Sequence, residues 1–337
     1  MAATVRQWAR QGGFLVAAVA LLAACAAAPM RDAAELPRWR EGAALPLAHG
    51  EVAMSATPRV LEGTRVEHVA VVGGISGLGR TQDTVFFYDP DRDAWREGPS
   101  LPGPRHHTAA ASLDRALYVS GGAPATRGTW EPQADLWRLD ADAERWQALE
   151  PMPEGRLGHR LVAHEGRLYA VGGVGPGSEV FIYDPDGGWT RGAELPDMRD
   201  HLSVVVAGSE IWAIGGRIDG NSVSRVDIYD PVADRWSDGP DLPEVTSGAA
   251  EGFIDGSIHV YGGEEPGLIG GAVFDRHWRI DPGAPDPDWE PASPPIQAVH
   301  GAEGAVLEGR FYIAGGASRQ GMLSAFSWSD LLQIREP

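Results

Sequence analysis

Arg167-Leu168-Tyr169-Ala170-Val171-Gly172-Gly173 is a short apolar run closed by a glycine pair, and runs of this form recur along the chain. Around it lies a complete unit of four strands. Leu161-Val162-Ala163 is the first, turned by Glu165-Gly166 into the second, which ends at Gly172-Gly173. Glu179-Val180-Phe181-Ile182-Tyr183 is the third, ended by Asp184-Pro185, and Trp189-Thr190-Arg191 is the fourth, ended by Leu195-Pro196. Apolar, β-branched and aromatic runs of this length between Gly, Pro and Asp are strand signals. Five further pairs punctuate the chain: Gly73-Gly74, Gly121-Gly122, Gly215-Gly216, Gly262-Gly263 and Gly315-Gly316. Their first glycines stand 48, 51, 43, 47 and 53 residues apart, counting Gly172 in its place. A tryptophan follows each of the first five pairs: Trp95, Trp146, Trp189, Trp236 and Trp289. The sixth pair has no such partner before the chain ends, and the matching tryptophan is Trp39 near the other terminus, in Arg38-Trp39-Arg40-Glu41-Gly42.

A period near fifty with Gly-Gly and a downstream Trp resembles the kelch repeat, which builds one four-stranded β-propeller blade per unit. The resemblance implies an all-β fold: a six-bladed kelch-type β-propeller. Glycine pairs let backbones approach where a Cβ would clash, and the tryptophan is an apolar plate between blades. The phase shift of the tryptophans predicts a ring closed by an N-terminal strand, near 38–46, as the fourth strand of the last blade. The other strands of that blade are expected near 305–307, 311–314 and 323–327. An Asp ends the third strand at Asp89, Asp140, Asp184, Asp230 and Asp281, and Asp330 is assigned the same place. Closure removes exposed sheet edges. The expected organisation is a single propeller domain over 36–337.

Residues 1–24 read as an export signal, with Arg6 and Arg10 ahead of an apolar run at 14–24 that is too short to span a bilayer comfortably. Leu22-Ala23-Ala24-Cys25 resembles the bacterial lipobox. The resemblance implies lipidation of Cys25, a tether over 25–35, and an exported lipoprotein. Ala26 argues against inner-membrane retention, so the outer membrane is expected, facing the periplasm or the cell surface. Cys25 is the only cysteine, so no intrachain disulfide is expected. All 28 basic residues are arginine, and the formal charge is −19. Such an acidic balance disfavours nucleic acid and anionic membrane surfaces as partners. Membrane contact is expected only through the lipid, and the ring is expected to be monomeric.

Alternate turns of a four-strand meander fall on opposite faces. One face collects Asp114, Glu165, Glu210, Asp255 and Glu308, with Asp-rich turns at 91–93 and 142–144 and with Asp186 and Asp234. These runs lack the length and Glu placement of a calcium loop, and Asp suits turns by capping backbone amides. The other face collects Arg105 and His107, Arg156 and His159, Arg199 and His201, and His300, each just before a first strand. The four histidines precede the next glycine pair by 14, 13, 14 and 15 residues, so they are expected at one equivalent place. The first blade is irregular, and whether His49 belongs to the set is open. The loops after Gly-Gly lie on this same face. They carry Arg127 and Trp130, Arg217, Glu264 with Glu265 and Arg276, Arg80 and Arg319.

Two readings of this face compete. Repeated residues in a repeat protein are usually architectural; alternatively the Arg/His set forms a basic rim for an anionic or polyhydroxylated ligand. Histidines of separate blades are expected to stand too far apart to share a metal ion, and no cofactor is expected. Fold alone implies no chemistry. A binding or assembly module for a glycan, peptide or envelope protein is therefore the leading expectation. The alternative is a sugar epimerase or mutarotase similar to N-acetylneuraminate epimerases, which the repeat and the export signal also resemble. It would use arginine for the carboxylate and an acid–base pair from Glu264 or Glu265 with His107, His159 or His201. A galactose-oxidase-like copper site is excluded, because its tyrosine–cysteine cross-link would need the cysteine that the lipobox takes.

Overall fold

The computed structural model describes residues 38–61, 63–126, 130–267, 271–320, 324 and 326–337. The expected signal 1–24, Cys25, the tether 25–35 and Arg127 lie outside these residues. Pro37–Pro337 forms one compact unit, built of six four-stranded antiparallel sheets with small two- and three-stranded additions. Each sheet is one blade. Blade 3 runs Arg160–His164, Arg167–Val171, Glu179–Asp184 and Gly188–Glu194, as its punctuation predicts.

Blade 6 takes Gly304–Leu307, Arg310–Ala314 and Leu332–Arg335 from the C-terminal end and Trp39–Glu41 from the N-terminal end. Trp39 pairs with Arg335 and Glu41 with Gln333. The closing strand is thus shorter than 38–46, but the chain beyond it stays tied to the blade: Leu45 N–H donates to the Asp330 carbonyl. The third strand lies later than 323–327. Leu332 and Ile334 are buried against blade 1, whereas Phe326 is largely exposed. Asp330 accordingly precedes that strand instead of ending it.

The six buried clusters each sit between two neighbouring blades, and each has one repeat tryptophan packed into it. The indole N–H groups show how regular this is. Trp95 donates to Ala43 O, Trp146 to Pro99 O, Trp189 to Glu150 O, Trp236 to Ala193 O and Trp289 to Pro240 O, at 2.8–3.3 Å. Trp39 completes the series by donating to Ser293 O at 3.1 Å. In every case the acceptor lies four residues beyond the preceding blade's tryptophan. The amphipathic ring thus fills the apolar gap and pins its one polar atom on the end of the preceding blade.

The glycine pairs are equally uniform. Both members of each pair have positive φ, from 58° to 98°. A Cβ on Gly73 would lie 2.5 Å from the Arg105 carbonyl oxygen, and one on Gly121 2.4 Å from that of Arg156. The second glycine's N–H donates to that same carbonyl, Gly74 to Arg105 and Gly122 to Arg156, each at 2.8 Å. The pair therefore locks the end of one blade's second strand onto the next blade's leading loop. On the opposite face the Asp-rich turns hold themselves: Asp89 Oδ1 accepts the N–H groups of Asp91 and Arg92, and Asp230 Oδ1 those of Val232 and Ala233.

Candidate functional site

One residue of each leading loop reaches the ring axis: Glu51, His107, Gly158, His201, Gly248 and Gly301. All six are left-handed, with φ of 54°, 53°, 62°, 52°, 61° and 65°. Their backbones form a closed circle of hydrogen bonds. His107 N–H donates to Glu51 O (3.2 Å), Gly158 to His107 (2.9 Å), His201 to Gly158 (2.8 Å), Gly248 to His201 (2.8 Å), Gly301 to Gly248 (2.9 Å) and Glu51 to Gly301 (2.6 Å). Left-handed backbone suits glycine and strains other residues. Three of the six positions nevertheless carry side chains, and those are a carboxylate and two imidazoles.

The four histidines of the sequence pattern are not equivalent. His107 and His201 are ring residues. His159 is the residue after one, fully buried, with Nε2 2.9 Å from Ser120 Oγ. His300 is the residue before one. Two residues ahead of the ring stand His49, Arg105, Arg156, Arg199, Thr246 and Val299, whose carbonyls accept from the second glycines. His49 is therefore blade 1's member of the arginine series. Those arginines do not form a basic rim. Arg199 is fully buried, bonded to Asp227 at 2.6 Å and to Arg225 O at 2.9 Å. Arg156 donates to Gly172 O and lies over Phe181, and Arg105 pairs with Asp135 at 2.5 Å and lies over Trp137. They brace blades.

Above the ring opens a cavity of about 510 Å³. It gathers His107, His201, His300, Arg217, Glu264 and Trp130 from the predicted set, with Glu51, Leu78 and Trp328 beside them. Arg319 is exposed on its loop, where its carbonyl accepts from His300 Nε2 at 3.0 Å, and it does not line the cavity. Glu265 is exposed beside it in the Glu264–Glu265 strand. Arg217 is bonded to Glu264 and to Ser247 Oγ. His300 Nδ1 lies 3.4 Å from Glu264 Oε1. His201 Nδ1 is bonded to Asp200 Oδ1. His107 Nε2 lies 3.2 Å from Glu51 Oε2, and its Nδ1 lies 2.6 Å from His106 Nδ1. Trp130 closes over both, its ring 4.8 Å from His106 and 4.9 Å from His107. On the far wall Trp328 donates to Gly77 O at 3.0 Å.

The charges of this floor are set by burial and by one another. Burial would raise the Glu51 carboxyl, but His107, His201, His300 and Arg217 outweigh it and hold it down at about 2. Burial pushes His107 well below the usual imidazole range, against the pull of Glu51. Histidines of separate blades do come together here: the His107 and His201 rings, from blades 2 and 4, have centroids 4.9 Å apart. The expectation that they stand too far apart fails because both project from the ring towards the axis.

A second charged layer lies further along the inner strands. Arg160 bonds Glu251 at 2.6 Å and lies 3.2 Å from Glu303, which also accepts Met54 N–H at 2.9 Å. Burial raises the Glu303 carboxyl to about 8, Glu251 adds to the rise, and Arg160 opposes it.

Glu51, Asp200 and Trp328 were missed by sequence reasoning. The signal for Glu51 was present: it follows His49 by two, as His107 follows Arg105 and His201 follows Arg199. The distance to Gly-Gly hid it, because the first two strands of blade 1 have nine residues each where those of blade 2 have five.

A kelch-motif model matches residues 71–102 and 198–243. Kelch-like protein 35 of Mus musculus is 28% identical over 262 residues, covering 76% of this chain and 42% of the mouse protein. Alpha-scruin of Limulus polyphemus is 27% identical over 270 residues, covering 74% of this chain and 29% of scruin. The chain thus spans less than half the length of these relatives. A solved structure of YjhT superposes with a TM-score of 0.69 at 17% identity, over 87% of this chain and 99% of that one. Kelch-repeat proteins are in general protein-binding modules, which favours binding over catalysis as the broad class. Motif, relatives and solved neighbour agree with the strands and the ring described above: the chain is a six-bladed β-propeller of the kelch type.

Proposed function

We propose that this chain is a binding module that takes a protein segment across its loop face, one polar side chain of the partner seated in the axial cavity. The carrying observation is the cavity's construction: a polar His/Glu/Arg floor walled by Trp130 and Trp328. Its mouth adds apolar surface that nothing in the fold requires. Leu78 and Trp130 line it and are exposed, Val174 and Phe326 are exposed on other loops that follow glycine pairs, and aromatic and aliphatic groups around a polar pocket are the make-up of a protein-binding patch. The epimerase alternative is weakened by where the arginines stand. Arg156 and Arg199 are buried in blade joints, and Arg217, which reaches the cavity, is already bound to Glu264.

Panning a random peptide library against the full chain tests this reading, with the Trp130→Ala/Trp328→Ala variant as counter-target. Peptides sharing a consensus and binding the variant at least about tenfold more weakly are the expected result. Peptides indifferent to both tryptophans would overturn it. Accelerated sugar anomerisation by NMR would establish the enzyme instead.

The place of action is part of the proposal. Lipidation of Cys25 after export holds the ring at an outer membrane, through the lipobox-like Leu22-Ala23-Ala24-Cys25. Labelling with an alkyne fatty acid in a bacterial host should mark the full chain and leave Cys25→Ala unmarked. Equal labelling of both would end the anchor idea.

A further inference from the structure

We infer that the axial ring of the propeller is a binding site for a divalent transition-metal ion of the Zn²⁺ class, held by Glu51, His107 and His201. One ligand atom from each of the three lies within 4.8 Å of the other two. A tetrahedral ion with ligands at about 2.0–2.1 Å needs them about 3.3 Å apart. His107 Nε2 and Glu51 Oε2, at 3.2 Å, already meet that spacing, and the His201 imidazole, within 4.8 Å of both, would close onto the ion.

The second layer of contacts is that of a metal site. His201 is oriented by the Asp200 carboxylate on Nδ1, which leaves Nε2 as its ligand nitrogen. His107 is oriented by His106 on Nδ1, and His106 in turn donates Nε2–H to Ala125 O at 3.1 Å. Outer partners of this kind fix ring orientation and raise ligand basicity. Two imidazoles and one carboxylate select transition ions over Mg²⁺ or Ca²⁺, which want all-oxygen shells.

Charge favours a cation there. Glu51, Asp200 and Glu264 surround the floor, Arg217 is bonded to Glu264 and lies near Asp200, and Arg160 below is matched by Glu251. The ion would keep at least one position open to the cavity, a place for water or a ligand donor. The backbone supports the assignment independently. Blades 3, 5 and 6 use glycine at the ring, as left-handed φ prefers, so the imidazoles at 107 and 201 are retained against local conformational preference.

This inference does not rest on the partner reading, and its test uses metal alone. The untagged full chain, stripped with a chelator, is titrated with Zn²⁺ by calorimetry and with Co²⁺ by visible absorption. One ion per chain is expected, with Co²⁺ bands of a low-coordinate N/O site and a melting temperature that rises with Zn²⁺. His107→Gly and His201→Gly install the residue that blades 3, 5 and 6 carry, so the metal-free variants should melt no lower than the parent. Each should bind Zn²⁺ at least about tenfold more weakly, and Glu51→Gln likewise, while the double His→Gly variant should show no stoichiometric binding. No binding by the parent, or binding that survives in the double variant, overturns the inference.

Discussion

Blades 1, 2 and 4 lead into the axis with Glu51, His107 and His201; blades 3, 5 and 6 lead in with Gly158, Gly248 and Gly301. The backbone is the same in all six, in φ and in the circle of hydrogen bonds. One layer further along, the roles reverse. Blades 3, 5 and 6 supply Arg160, Glu251 and Glu303, while blades 1, 2 and 4 follow their ring residues with the small Ala53, Ala109 and Ser203. The two levels are thus filled by different sets of blades. The Arg160 layer ties three blades together through the contacts of one guanidinium with Glu251 and Glu303. The Glu51 layer ties its blades by weaker contacts and opens to the cavity. The lower level reads as architecture, and the upper one as the site.

The largest effect should come from breaking what both groups of blades share. Deleting residues 38–46 removes the Trp39–Arg335 pairing and the Trp39–Ser293 bond, leaving Leu332–Arg335 as an open edge. Aggregation or loss of a single cooperative melt is expected; a deletion that melts like the parent would mean closure contributes nothing. Next comes Arg199→Ala, two residues before the ring in blade 4. It leaves Asp227 fully buried with Arg225 as its remaining charged partner, and a loss of about 3 kcal/mol in denaturant titration is expected. A change under about 1 kcal/mol would return Arg199 to the functional set.

Exchanging ring residues tests the comparison itself. Gly301→Ala strains a φ of 65° and places a Cβ 2.6 Å from Glu51 Oε1, and should lose about 1–2 kcal/mol. His201→Gly, without metal, should be neutral or gain up to about 1 kcal/mol. If both exchanges destabilise equally, the upper level is as structural as the lower. The smallest effect concerns pH. A carboxyl raised to about 8 in the fold, against an ordinary value of 4.5, stabilises most below 4.5 and loses that contribution as pH rises towards 8. Below about 6.5 the buried histidines, lowered to about 3 at His159 and about 4 at His49, work in the opposite sense. In the window of pH 6.5–8 the buried carboxyls of this layer therefore dominate, Glu303 together with Glu251, which burial also raises. The melting temperature should fall across it in the parent and fall less in Glu303→Gln; parallel profiles would place the proton elsewhere.

The architecture was legible because it is repeated. Six glycine pairs and six tryptophans, each doing one packing job at one spacing, report strand order and ring closure without any long-range information. The site was legible only in part, since its residues are the departures from the repeat. Trp130 and Glu264 stood out as loop residues, and His107 and His201 stood out beside their arginines. Counting back from Gly-Gly, however, merged His159 and His300 with them, and a slip of one residue turns a side chain from the axis into the packing. It also hid Glu51 behind longer strands. Leu332–Arg335 was misplaced for a related reason: a loop of free length precedes it, and only pairing with Trp39–Glu41 decides the register.

The sequence by itself thus determined the number of blades, their strand order and the seam, because those follow from local chemistry written six times. The tertiary structure alone decided which three side chains meet at the axis, that the arginines are braces, and that a cavity stands over the ring. Those facts depend on radial position and on which atoms converge from blades far apart in the chain, and no spacing along a strand encodes them.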